Sequence, residues 1–344
     1  MSNITTRIAK WDNAKAILIF LVVFGHSISP FISDSEVMRC VYVWLTTFHM
    51  PLFMFITGLF SKSFANAPKL NVKKIVSYIL LFYYMKLLIY ATVIIFRGHG
   101  KFRVFTENGT PWYIFVTAVF MVLAFCLKKV SPKIVLPVSF VLALAVGYID
   151  FVGDFLMLSR IFVFFPYFYL GYALDRNKVL EFTDKKSIKI VSVVIIVVFT
   201  VAIFTLRDNI YGVRYSLTGN NPYSEFGRFS NLGILIRVVS YILSSVVSLA
   251  VLSIIPKKNI PVVTRVGSKT LTIYAVHRPV QYAFNYTLLP LVTPILPQWA
   301  VLPSFFILSA GLTLLLSLKP FDYIVYPCTK WDKWCGAIVK LFKK

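Results

Sequence analysis

Residues 11–32 read W-D-N-A-K-A-I-L-I-F-L-V-V-F-G-H-S-I-S-P-F-I. From Ala16 to Ile32 the only ionisable side chain is His26. The run approaches the roughly 20 apolar residues that cross a bilayer's hydrocarbon core. Arg7, Lys10 and Lys15 precede it, and only Ser27-x-Ser29 resembles a cleavage site. A retained first membrane helix is therefore expected, not a signal peptide.

Nine further apolar runs follow, near 39–60, 75–96, 111–127, 134–150, 160–174, 188–206, 233–255, 268–289 and 299–318. Composition agrees with them. The 344-residue chain is 58% hydrophobic, 17% aromatic and 14% charged, with mean hydropathy +0.77. A soluble chain averages about 25% charged residues. In lipid the backbone must satisfy its own hydrogen bonds, and runs of this length do so as helices. The expectation is an all-α, polytopic membrane protein of about ten transmembrane helices, with residues 1–344 forming a single domain.

A net charge of +23 would suggest nucleic acid in a soluble protein. Here the basic residues sit in short segments between apolar runs, so topology explains them. With the N-terminus inside, 25 Lys and Arg fall on cytoplasmic segments and nine on outer ones, while Lys86 and Arg278 lie within helices. That asymmetry places both termini in the cytoplasm of a multi-pass cell-membrane protein, expected in the bacterial plasma membrane. Cys40, Cys126, Cys328 and Cys335 have no metal-ligand spacing, and no metal is expected. One outer segment is long, 207–231, and its glycines, asparagines and Pro222 mark turns. No repeat of 20–50 residues is visible, which disfavours an inverted-repeat transporter.

Ionisable groups inside a membrane are costly and tend to mark function. His26, His49, Lys86 and His277 each lie about 9–11 residues into their runs, roughly 14–17 Å from a helix end. Four polar groups at one depth point to a shared, water-accessible cavity. Lys15 and His26 are eleven residues apart, which puts them on one helix face at about 16 Å axial separation. Asp12, three residues before Lys15, is placed to hold its ammonium. Such spacing suits a long anionic substrate whose phosphates meet cations at the surface while its reactive end reaches an imidazole. Histidine takes a hydroxyl proton readily near neutral pH. No Gly-x-Ser-x-Gly, Walker or His-Glu-x-x-His motif offers a competing chemistry. Lys69, Lys73 and Lys74 form a basic inner loop that either contacts phosphates or obeys the topology rule.

These residues resemble the acyltransferase 3 family of membrane proteins, in particular its fucose 4-O-acetylase-like branch. Trp11 to His26 is similar to the family's D-x-x-R-x(10)-H pattern. F-H-M-P-L-F-M-F-I-T-G-L-F (Phe48 to Phe60) resembles F-H-M-P-L-F-F-x-x-S-G. P-W-Y-I-F at Pro111, R-I-F-V-F-F-P-Y-F-Y-L-G-Y at Arg160 and V-G-S-K-T-L-T-I-Y-A-V-H at Val266 resemble three further segments in the same order. The resemblance implies transfer of an acyl group, usually acetyl from acetyl-CoA, to a hydroxyl of a cell-surface carbohydrate or its lipid-linked precursor. No permanently bound cofactor is implied.

By position, His26 would be the catalytic histidine, Asp12 the motif's acid, and Lys15 would replace the usual arginine, losing its bidentate fork. Lys73 and Lys74, with Lys69, would stand where the family has a basic inner loop, again lysine for arginine. His49, Lys86 or His277 would steady the oxyanion. Pro279 after Arg278 is expected to kink the ninth helix beside His277. On the outer side, Arg160, Tyr211, Arg214, Tyr215, Tyr223, Glu225 and Arg228 are expected to receive a sugar, the tyrosines by stacking. An interfacial aromatic belt would also explain those tyrosines. The rival class is a transporter or flippase whose buried histidines relay protons, and a third is a scaffold. Acetyl-CoA, a carbohydrate acceptor and the lipid bilayer are the expected partners; oligomeric state leaves no mark in the sequence.

Overall fold

The computed structural model describes residues 8–107, 109–207 and 211–334. Among these no strand occurs, and the one extended pairing is an isolated bridge between Thr106 and Phe155. Every one of the ten apolar runs is a helix: α1 Ala9–Ile28, α2 Glu36–Leu59, α3 Val72–Arg97, α4 Trp112–Cys126, α5 Pro132–Ala145, α6 Leu158–Ala173, α7 Lys186–Thr205, α8 Gly233–Ile254, α9 Thr270–Thr287 and α10 Gln298–Leu316. Six of them, α1, α2, α3, α7, α8 and α10, are long and apolar enough to cross a membrane. The other four have 14 to 18 residues, below the roughly 20 of a perpendicular span.

Local chemistry sets the helix ends. Ser35 accepts the Met38 amide at the start of α2, and Asn71 accepts the Lys74 amide at the start of α3. Gly98, at φ +81°, closes α3 in the left-handed region that glycine enters without a Cβ clash. Short helices missing from the apolar pattern link the long ones. Among them are Arg176–Asp184, capped by Asp175, and Pro261–Ser268.

The centre is built from α1, α2 and α6. In lipid, apolar side chains gain little by meeting each other, so helices associate through close backbone approach at small residues. Gly58 on α2 and Gly171 on α6 face reciprocal carbonyls. A Cβ on Gly58 would overlap the Phe168 oxygen, and one on Gly171 the Phe55 oxygen. Gly267 meets the Asp12 carbonyl in the same way and seats Pro261–Ser268 on α1. The polar first turn of α1 locks this end. Buried Lys10 donates to Thr183 (2.9 Å) and Asp184 (3.0 Å), while Asn13 donates to the carbonyls of Pro256 and Lys258.

Helices at the rim present their apolar sides outward. Only 17% of the apolar window of α7 is buried, against 67% for α2, and Val191, Val194, Val198 and Val201 are exposed. Exposed valines in such a row are what hydrocarbon would solvate. The segment 211–232 is not a solvated linker. Arg237 on α8, 1% exposed, donates to Ala143 and Asn221, and the Tyr223 hydroxyl donates to Leu144.

Candidate active site

Two cavities enter the bundle from opposite ends of α1. One, of about 340 Å³, is lined by Lys15, Lys74, Tyr78, Tyr113 and the walls of α1, α2 and α4. The other, also about 340 Å³, is lined by His26, His49, Tyr42, Thr46, Arg160 and Arg214, among others. Val22, Met50 and Tyr274 line both. A thin partition of three side chains, from α1, α2 and α9, therefore separates a lysine-bearing chamber from a histidine-bearing one.

Helical spacing explains the placement. Lys15, Val22 and His26 share one face of α1, so its residues pass from the first chamber through the partition to the second. On α2, Phe53 and Thr57 line the first chamber, Met50 the partition, and Tyr42, Thr46 and His49 the second. Lys15 Nζ is 2.8 Å from Asp12 Oδ1, the i, i+3 pair expected from the sequence. Asp12 itself is buried.

The imidazoles differ in their partners. His49 Nδ1 is 2.6 Å from the Leu45 carbonyl oxygen. A carbonyl only accepts, so Nδ1 carries the proton and Nε2 keeps its lone pair. His277 is held in the same tautomer by the carbonyls of Ile273 and Tyr274, at 3.0 and 2.9 Å; its Nε2 is buried without a partner. The ring of His26 lies 5.6 Å from that of His277, and its Nε2 is 3.3 Å from Thr110 Oγ1. The Tyr274 hydroxyl donates to the Thr110 carbonyl, so Thr110 ties the partition to His26.

The expected site residues divide into those gathered here and those not. His26, His49, Arg160, Arg214 and Tyr215 line the second chamber; Lys15 and Lys74 line the first. His277 sits behind His26 and is fully buried, outside the lining. Lys86 does not face the histidines. Its ammonium donates to the carbonyls of Arg103 and Thr106 and pairs with Glu107 at 3.6 Å, because a buried cation on α3 finds its nearest acceptors in the 103–107 loop. Lys73 pairs on the surface with Asp332, whose carboxyl is held below its ordinary value by that lysine's hydrogen bond, and Lys69 is exposed away from the chamber.

Within the outer group, Arg160 reaches Thr218 and Glu107 carbonyls and lies 4.9 Å over the Trp112 ring. Arg214 is stacked between Tyr211 and Tyr215, 3.6 and 4.2 Å from their centroids, which leaves Tyr211 supporting the arginine. Tyr223 is buried as a packing residue: its ring fills the space above Gly147 and Gly233 and meets Arg237 at 4.6 Å, so it lines neither chamber. Glu225 and Arg228 are exposed and line neither chamber. Pro279 lies inside α9, which runs on through it to Thr287.

Sequence reading passed over Tyr42, Thr46, Thr110, Tyr274 and Asn221. Tyr42, Thr46 and His49 are spaced i, i+4 and i+7 on one helix, a signal that was present; Thr110 and Asn221 lie in turns, where spacing carries no such information.

The described residues thus form an all-helical bundle, six of its helices long and apolar enough to cross a membrane, in which a lysine-bearing cavity adjoins a histidine-bearing one. The acyltransferase domain family's profile matches residues 8–318, so the chain belongs to that family. Membership suggests membrane acyltransferase activity. No curated protein and no solved structure matches the chain.

Proposed function

We propose that the chain is a multi-pass O-acetyltransferase of the bacterial plasma membrane, crossing it ten times with both termini cytoplasmic. It moves acetyl from acetyl-CoA to a hydroxyl of a cell-surface carbohydrate or its lipid-linked precursor, as the fucose 4-O-acetylase-like resemblance implies. The observation that carries the reading is the pair of chambers meeting at Val22, Met50 and Tyr274.

Coenzyme A phosphates meet Lys15 and Lys74 at the cytoplasmic mouth, as point charges that accept several phosphate geometries. The pantetheine arm runs along α1, and the thioester reaches His26 once the partition side chains rotate. The acceptor enters from the other chamber, with Arg160, Arg214 and Tyr215 as its polar contacts. His26 takes the proton of the acceptor hydroxyl as its oxygen attacks the acetyl carbon. The C–S bond breaks as the C–O bond forms, and the proton passes to the departing thiolate, giving free coenzyme A and the acetyl ester. His49, with its lone pair on Nε2, becomes a donor to the oxyanion only when protonated; neutral, it serves as a second acceptor for the hydroxyl proton.

Purified protein supplied with labelled acetyl-CoA and a membrane glycolipid extract should transfer label to the extract and release free coenzyme A. His26→Ala, folded to the same melting temperature, should not. Substrate movement across vesicles without consumption of acetyl-CoA would instead establish the transporter.

A further inference from the structure

A third cavity, of about 330 Å³, lies between α3 and α9 and shares Gly109 and Thr110 with the histidine chamber. Four cations line it, Lys86, Lys101, Arg103 and Arg278, against one carboxylate among the described residues, Glu107. That carboxylate is already engaged. Its Oε2 faces Lys86 Nζ at 3.6 Å and its Oε1 accepts the Gly109 amide at 2.6 Å. Lys86 is in turn held by the loop carbonyls.

Lys101, Arg103 and Arg278 make no ion pair among the described residues. Arg278 is the one of the three with a buried, unpartnered donor among the described residues. One terminal nitrogen donates to the Tyr282 hydroxyl at 2.8 Å and the other only reaches Gln281 Oε1 at 3.5 Å, while its buried Nε has no partner. A guanidinium with donors to spare, on the wall of a cavity with excess positive charge, binds oxyanions bidentately. The positive-inside rule does not account for this cluster. In the proposed orientation the outer side is poor in Lys and Arg, yet Lys101 and Arg103 join two intrahelical cations here. Thr110 connects the two cavities, since its hydroxyl meets His26 and the residue also lines the cationic cavity.

We propose that this cavity binds an anionic group, phosphate or carboxylate, carried by the acyl acceptor, so that the acceptor is an acidic saccharide anchored at Arg278 with a hydroxyl presented to His26 across Thr110. The substrate class rests on the acyl-transfer reading; the anion site itself does not.

Binding without acetyl-CoA keeps the two apart. Purified full-length protein is titrated calorimetrically with glucose 1-phosphate, glucuronate and glucose. At least one anionic sugar should bind tenfold or more tightly than glucose. Arg278→Gln should lose that preference, Arg278→Lys should retain part of it, and both should match the parent's melting temperature. Equal binding of glucose and both anions, or an anion preference unchanged in Arg278→Gln, would overturn the proposal. Should Arg278→Gln fail to fold, the double change Lys101→Gln with Arg103→Gln, both exposed, should lower the anion affinity at least threefold, and an unchanged affinity there would overturn it equally.

Discussion

Lys15 and His26 stand eleven residues apart on one helix and open into different cavities, with Val22 between them lining both. At 1.5 Å per residue their axial separation is about 16 Å. In the proposed mechanism a thioester is carried inward over that length.

Lys15 should set donor affinity more than turnover. Lys15→Ala should raise KM for acetyl-CoA about tenfold, the scale of one charge-assisted contact of 1.5 kcal/mol or so, with a smaller change in kcat. Lys15→Arg should stay near the parent value. Initial rates over a range of acetyl-CoA concentrations distinguish the two.

Met50 belongs to the partition and touches both chambers. Met50→Trp should fill the passage, leaving acetyl-CoA binding by calorimetry within a few-fold of the parent while acetyl transfer falls by two orders of magnitude or so, the scale expected when reacting atoms are kept apart. Equal losses of binding and transfer would locate the block at the donor mouth instead.

The Gly58–Gly171 crossing carries the central packing of α2 on α6. Gly58→Leu should destabilise the protein by roughly 1–3 kcal/mol or more, because the added side chain meets backbone, which does not yield as a flexible side chain would. Thermal unfolding in detergent, followed by loss of the monodisperse peak, reads the effect. Gly311, whose Cβ direction is open, should accept alanine with little change.

Asp175 caps the helix Arg176–Asp184, and hydrogen bonds from the Lys178 and Asn177 amides hold its carboxyl below the ordinary value of 3.8. A folded-state value below the unfolded one means the cap stabilises above about pH 3.8 and that this contribution fades as pH falls through the lower, folded value. Asp175→Ala should therefore melt below the parent at pH 7, and the gap should narrow toward pH 3.

How much of this was legible beforehand follows from the period of each signal. Ten apolar runs gave ten helices, since a run of apolar residues needs no neighbour to declare itself. Length in sequence is a poorer guide to span: α4 matches its run and is still only 15 residues long, and α5 gives way after Ala145 to a 3-10 segment, Val146–Tyr148. His26 and His49 stand out in the sequence because an ionisable group in an apolar run is conspicuous, and Lys15 because it shares a helix face with His26; the structure sets the two histidines beside one cavity and Lys15 beside the other. Lys86 looked the same by depth and was not, because its direction around α3 depends on where the 103–107 loop folds back. Sequence allows Tyr223 to stack on a sugar or to join an interfacial belt, and only its packing against Gly147 and Gly233 shows it as a wedge. Thr110 was invisible: a threonine in a turn gains meaning only from what it touches.

Whether donor and acceptor reach one imidazole from opposite sides can be read in oriented proteoliposomes. Labelled acetyl-CoA is supplied only on the side bearing Lys15, with the acceptor only on the side bearing Arg160. Acetylated acceptor is expected on the Arg160 side, free coenzyme A on the Lys15 side, and a loss of about 10²–10⁴-fold in both with His26→Ala. Product formed only when both substrates share one side, or formed equally well by His26→Ala, would contradict it.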